Sequence, residues 1–109
     1  MFTEEGIVML NKKFHNGKIS NKSSLDFAIS AAKSKGWLEQ LAYLLRSVIV
    51  DHAFEDGNKR TAALLIIIYY TEYKIGFDPE KVSKSVIEIA KNNIKDISKI
   101  KRMIKDAAR

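Results

Sequence analysis

An all-α domain is what the sequence predicts, on three observations: apolar residues recur at helical spacing along almost the whole chain, no segment alternates apolar and polar residues as a half-buried strand does, and only one proline and five glycines interrupt the pattern. With 109 residues, 46% of them hydrophobic and 29% charged, the chain suits one domain spanning 1–109, large enough for a real core without metal or disulfide staples. The expected architecture is a compact helical bundle built around a buried central helix.

Thr3 can cap a first helix running to about Phe14, with Glu4 and Glu5 in its first turn where the helix dipole favours negative charge. His15 to Lys22 then reads as a polar loop containing Gly17. Ser23 or Ser24 can cap a second helix with Leu25, Ala28, Ile29 and Ala32 on one face, and Gly36 offers the left-handed conformation that closes helices. After a short turn at Lys35 to Trp37, the segment from Leu38 to about Asp51 puts Leu41, Leu44, Leu45, Val48 and Ile49 on one stripe and delivers His52 at its end. From Asn58 to Lys74 the apolar run Ala62 to Tyr69 leaves no polar face, as expected of a central helix surrounded by others. Gly76 ends that helix; Asp78 and Pro79 open the next as cap and first helical residue, and it runs to about Asn92. A last, basic helix from Asp96 to Ala107 carries Ile97, Ile100, Met103 and Ile104 on its dry side. Trp37, Tyr43, Tyr69, Tyr70, Tyr73 and Phe77 read as core rather than as a ligand wall.

Composition excludes several classes. The absence of cysteine rules out disulfides and thiolate zinc sites, and two histidines are too few for a histidine-rich metal cluster. Acidic residues at the N-terminus do not fit a secretory signal, so a cytoplasmic location is expected. The longest apolar stretch, Thr61 to Thr71, is about half of what a membrane span needs, so no membrane partner is expected. Of the net charge of +6, residues 80–109 contribute +5, from nine Lys/Arg against four Asp/Glu. This basicity reads as the solvated face of the last helix, and a nucleic-acid partner is not expected.

The chemistry is concentrated in one run, His52-Ala53-Phe54-Glu55-Asp56-Gly57-Asn58-Lys59-Arg60, between two predicted helices. The loop hands over to the apolar helix at Gly57 and Asn58, so the unpaired N–H groups of that helix's first turn, at the positive end of its dipole, form a ready anion site. Gly57 would let a phosphate approach the backbone. Lys59 and Arg60 are poor neighbours for a positive helix end unless an anion visits, and Arg60 can grip phosphate oxygens with its planar fork. Asp56 cannot cage a metal alone, but one carboxylate beside phosphates is a usual way to hold Mg²⁺. His52 is suited to taking a proton from a hydroxyl nucleophile. Taken singly, His52 could be a helix C-cap, Phe54 a core anchor, Asp56 a cap and Asn58 a turn residue, but those readings leave the paired cations unexplained.

This run is similar to the signature of the Fic/Doc (Fido) family, His-x-Phe-x-Asp/Glu-Gly/Ala-Asn-Gly/Lys-Arg, with every fixed position filled. Lys59 followed by Thr61-Ala62 resembles the death-on-curing (Doc) branch, whereas Fic enzymes usually carry glycine there, and Ala63 stands where many have a second arginine. The resemblance implies a Fido-like helical fold and, for a Doc-like toxin, transfer of the γ-phosphoryl group of ATP to a Ser or Thr hydroxyl of a target protein. It implies His52 as base, Asp56 on Mg²⁺, Gly57 and Asn58 as the anion hole, and Lys59 and Arg60 as stabilisers of developing charge. Fic-type AMPylation is the alternative reaction. The stretch from Ala32 to Gln40 is shorter than the family's target-binding flap, and no inhibitory Ser/Thr-x-x-x-Glu-Gly/Asn motif occurs, so a Doc-like protein would need a separate antitoxin.

Two other readings compete. Arg46 and His52 have a spacing like that of HEPN-type ribonucleases, which would make them an acid/base pair on RNA and leave Gly57 to Arg60 without a role. A non-catalytic helical binding module would instead rely on the basic C-terminal helix.

Overall fold

Six α-helices and one π-helical turn make up the computed structural model, which describes residues 2–109. Thr3 caps α1 (Glu4–Asn11) as expected, its hydroxyl accepting the Gly6 N–H at 3.1 Å. The helix stops three residues before Phe14, because the Asn11 side chain is turned into the interior. In α2 (Lys22–Ala32) the cap is Asn21 rather than a serine: its side chain accepts the Ser24 N–H at 3.2 Å. Gly36 closes nothing in a left-handed conformation; with φ −65° it is the extended residue that opens α3 (Trp37–Leu45).

The long helix expected from Leu38 to Asp51 is α-helical only to Leu45, and Arg46–Val50 continues as a π-turn. The Asp51 N–H reaches back five residues to the Arg46 carbonyl at 3.1 Å. Helix α4 (Asn58–Glu72) runs as the sequence predicts, and α5 (Pro79–Lys91) and α6 (Ile97–Asp106) carry the expected aspartate caps, Asp78 and Asp96. Lys74 (φ 56°) rather than Gly76 turns the chain after α4, and Asn93 (φ 51°) does so after α5. In both cases an isoleucine follows whose N–H bonds back five residues into the helix, Ile75 to Tyr70 at 2.8 Å and Ile94 to Ile89 at 3.1 Å, which satisfies a late carbonyl and lays an apolar side chain, half-buried for Ile75 and buried for Ile94, over the end.

Every helix contributes to one core, from Ile7 and Leu10 on α1 to Ile100 and Ile104 on α6. α4 is central but not fully enclosed: Thr61, Ala62, Leu65, Ile66, Tyr69 and Tyr70 are buried, while Ala63, Leu64, Ile67 and Ile68 are half-buried. Among the described residues no helix is long and apolar enough to cross a membrane. Three of the four cationic residues of α6, Lys99, Arg102 and Lys105, are exposed on its wet side, while half-buried Lys101 pairs with Glu39 at 3.2 Å.

Candidate functional site

The π-turn sets where the loop begins. By inserting an extra residue into the helical register, it ends the helix at Asp51 and leaves His52 exposed with φ 51°, a conformation that costs a side-chain-bearing residue about 1–2 kcal/mol. Buried Ser47 is satisfied inside the turn: its hydroxyl lies 2.9 Å from that of Ser24, which donates to the Asp51 carboxylate at 2.7 Å. The loop is then sewn to the segment after α1. The Ala53 carbonyl accepts the N–H groups of Ser20 at 2.7 Å and Asn21 at 3.1 Å, and the Glu55 N–H donates to the Lys18 carbonyl at 3.0 Å. Ile19 and Phe54 thus form an isolated antiparallel bridge, and buried Phe54 anchors the loop in the core as expected.

Asn58 holds the same loop from the other side. Its amide accepts the Phe54 N–H at 3.0 Å and donates to the Phe54 carbonyl at 2.9 Å, which ties the side chain to the loop, while its backbone N–H lies in the first turn of α4 where no intrahelical partner exists. Gly57 adopts φ 75° and opens α4 with no side chain capping it. Its own N–H donates to the Asp56 carboxylate at 2.7 Å. A Cβ at Gly57 would lie 3.1 Å from Asn11 Nδ2 and 3.5 Å from Phe14 Cβ, so the glycine is demanded by the left-handed turn and by α1 beneath it, not only by an approaching phosphate. Asn11 is fully buried, and its Nδ2 donates to the Asp56 carbonyl at 2.8 Å and to Thr61 Oγ1 at 3.1 Å. Nothing in its sequence neighbourhood marks it as part of this loop.

Lys59 and Arg60 stand exposed in the first turn of α4, and among the described residues neither pairs with a carboxylate. Glu55, by contrast, meets Lys18 at 3.5 Å. The loop opens on a cleft of about 710 Å³, within the range of small-molecule sites. His52, Asp56, Gly57, Asn58, Lys59 and Arg60 all line it, so the residues singled out from sequence come together. Phe14, after α1, and Ile87, Ala90, Lys91 and Asn93, at the end of α5, supply the opposite walls. Sequence reading missed these, since each lies on an element that only packing brings to the loop.

Arg46 is absent from the cleft lining: its guanidinium sits 5.2 Å from the centre of the Tyr43 ring and donates to the Lys95 carbonyl at 3.4 Å. The arginine half of a ribonuclease pair is thus occupied elsewhere. The aromatic residues Trp37, Tyr69, Tyr70, Tyr73 and Phe77 cluster about the C-terminal end of α4, but only Tyr69 and Tyr70 are buried as the core reading expects; Trp37, Tyr43 and Phe77 are half-buried, and Tyr73, on which Trp37 stacks at 5.0 Å, is exposed. The connection after α2 lies at that same end, through the Gln40 bonds to the Lys35 carbonyl and the Tyr69 hydroxyl. It is therefore separated from the loop by the length of α4, roughly 20 Å.

Among the described residues no group of three His, Cys, Asp or Glu side chains could hold a metal. The donor set fits Mg²⁺ only as one carboxylate, Asp56, completed by phosphate oxygens and water. No curated protein and no solved structure is significantly similar to the chain. The pattern of the Fic/DOC family, whose members are typically transferases acting on proteins, matches residues 12–70, more than half of the chain, including the whole of the loop, the helix before it and α4 as far as Tyr70. A loop of this composition, folded between a helix end and an uncapped helix start and matched across its full length, makes the chain a member of the Fic/DOC family.

Proposed function

We propose that this protein transfers the γ-phosphoryl group of ATP to a Ser or Thr hydroxyl of a target protein, as a Doc-like kinase acting in the cytoplasm. The observation that carries the reading is the start of α4: an exposed, uncapped helix N-terminus bearing two unpaired cations opens on the same cleft as His52. Anions are favoured there by the dipole and by the first-turn N–H groups, and Lys59 and Arg60 add the positive charge and donors that suit a polyphosphate.

In the reaction the target oxygen attacks the γ-phosphorus while the bond from that phosphorus to its bridging oxygen breaks and ADP leaves. The His52 imidazole takes the hydroxyl proton. The N–H groups of Asn58 and Lys59 hold phosphate oxygens, and Arg60 offsets charge that builds on the transferring group. Asp56 would hold Mg²⁺, which when bound supplies charge neutralisation on the phosphates. For Gly57 to donate to phosphate, Asp56 must leave its N–H, so phosphate binding and release of that carboxylate are one event. The Lys59 side chain fills space that glycine would leave open, which favours presentation of the γ- over the α-phosphate. Target recognition through an added strand in residues 32–40 forms no part of the proposal, since that connection lies at the far end of α4. A separate antitoxin would act by covering the cleft.

The test is incubation of the purified protein with cell extract, Mg²⁺ and ATP labelled on the α- or the γ-phosphate. Label from γ alone on a protein band, lost in His52→Ala, is the expected result. Label from α shows AMPylation with release of pyrophosphate; label from neither, across extracts that contain the target, leaves a binding module and ends the kinase reading.

A further inference from the structure

The side chain that ties most of the phosphate loop together lies 45 residues upstream of it. Asn11, in the last turn of α1, is 0% exposed and spends every polar atom on three segments. Its Oδ1 accepts the Gly17 N–H at 2.9 Å, which fixes the sense of the amide, because a donor there must face oxygen. Gly17 is held in place for this: it has φ 75°, and a Cβ on it would lie 2.7 Å from Lys12 Cγ. The two protons of Nδ2 go to the Asp56 carbonyl at 2.8 Å and to Thr61 Oγ1 at 3.1 Å, and the Thr61 hydroxyl donates to the Gly57 carbonyl at 2.8 Å.

The direction of the first of these bonds has a consequence for the ligand. In a trans peptide the carbonyl and the N–H point opposite ways, and the described chain has no cis peptide. Drawing the Asp56 carbonyl inward therefore turns the Gly57 N–H outward, where the Asp56 carboxylate now meets it. Gly57 itself imposes no such choice, because glycine lets the preceding peptide rotate at little steric cost. We infer that Asn11 is the positioning residue of this anion site: its bond to the Asp56 carbonyl selects the peptide orientation in which the Gly57 N–H faces an incoming phosphate. The inference rests on the proposed function, which supplies the outward N–H with its ligand.

Two substitutions separate this role from general support of the fold. Asn11→Asp keeps the shape and the Gly17 bond but sets a carboxylate against the Asp56 carbonyl, favouring the rotated peptide with the Gly57 N–H drawn inward. Asn11→Ala removes the tether without burying a charge. Binding of inorganic triphosphate and of Mg·ATP is followed by ¹⁵N-resolved NMR well below the melting temperature of each variant. In the wild type the Gly57 N–H signal shifts on titration, and the Asn11 side-chain amide signals shift in step with it. Each folded variant binds at least about tenfold more weakly and loses the Gly57 response. Wild-type affinity with an intact Gly57 response in either folded variant overturns the inference and leaves the function standing, as does a wild-type Asn11 amide that stays still while Gly57 moves. Failure of the wild type to bind either probe overturns both.

Discussion

His52 bears a backbone cost that the residues beside it do not. At φ 51° a side chain is strained, yet the position holds an exposed imidazole at the mouth of the cleft. His52→Gly relieves about 1–2 kcal/mol of strain against about 0.5–1 kcal/mol for glycine's greater unfolded-state freedom. The variant should therefore match or exceed wild-type stability in urea unfolding, and exceed that of His52→Ala, while transferring no label. A glycine variant less stable than the alanine variant contradicts the strain. Lys59 is a second residue whose position costs stability, and the proposed function gives that cost a purpose. Lys59→Gln removes a cation from the positive end of α4 and should raise the melting temperature of the ligand-free protein by about 1–4 °C, equivalent to roughly 0.3–1 kcal/mol. In excess Mg·ATP the order should reverse, because the wild type gains more from binding. Gly57 teaches a different point. Its identity is explained by its left-handed φ and by Asn11, which a Cβ there would meet at 3.1 Å, as much as by any ligand, so a motif glycine can answer to the interior as well as to the chemistry.

Helix boundaries show how adjacent polar residues compete for one role. Asn21, Ser23 and Ser24 can all cap a helix, and tertiary bonds choose among them: Asn21 caps α2 while its Nδ2 donates to the Asp51 carbonyl at 3.1 Å, and Ser24 is recruited by Asp51 and Ser47. Asn21→Ala should cost about 1–2 kcal/mol in urea unfolding, and exposed Ser23→Ala no more than about 0.5 kcal/mol; equal effects would return the cap to the serine. The π-turn was not visible beforehand because its apolar stripe is compatible with a continuous α-helix. What makes the wider turn stable is Ser24 on the neighbouring α2, whose hydroxyl bridges Ser47 and the Asp51 carboxylate, a pairing that no local pattern reveals. The ends of α4 and α5 were legible in part. A left-handed Asn93 before Ile94 follows a known capping preference, whereas Lys74 adopts the same turn although Gly76 stands two residues further on.

Taken as a whole, the molecule separates its two ends along α4. The N-terminal end is open, cationic and lined by the loop; the C-terminal end is closed by aromatic rings and tied to α6 through the Tyr70 hydroxyl, which donates to the Ile104 carbonyl. Burial pushes the Tyr70 phenol up to about 12, with Asp106 adding to the effect, and pushes Tyr69 up to about 12, with Tyr73 and Glu72 adding. Both are acids whose protonated form is favoured by folding, so their contribution is complete below the unfolded value of 10.0 and is lost as pH rises towards 12. Melting temperature should therefore fall across that window together with the appearance of tyrosinate absorbance. Tyr70→Phe should flatten its part of the fall, and an unchanged slope would place the alkaline transition in other groups.

Helical periodicity, the aspartate caps of α5 and α6 and the nine-residue run from His52 to Arg60 were readable directly, because each depends on neighbours within a few positions. So was the convergence of His52, Asp56 and Lys59 on one site, since a single short loop carries them. The walls of the cleft at Phe14 and Lys91, the clamp of Asn11 on the Asp56 carbonyl and the π-turn before His52 were settled by packing. They depend on which buried polar groups find partners across the core, and that pairing is set by three-dimensional proximity between segments far apart along the chain.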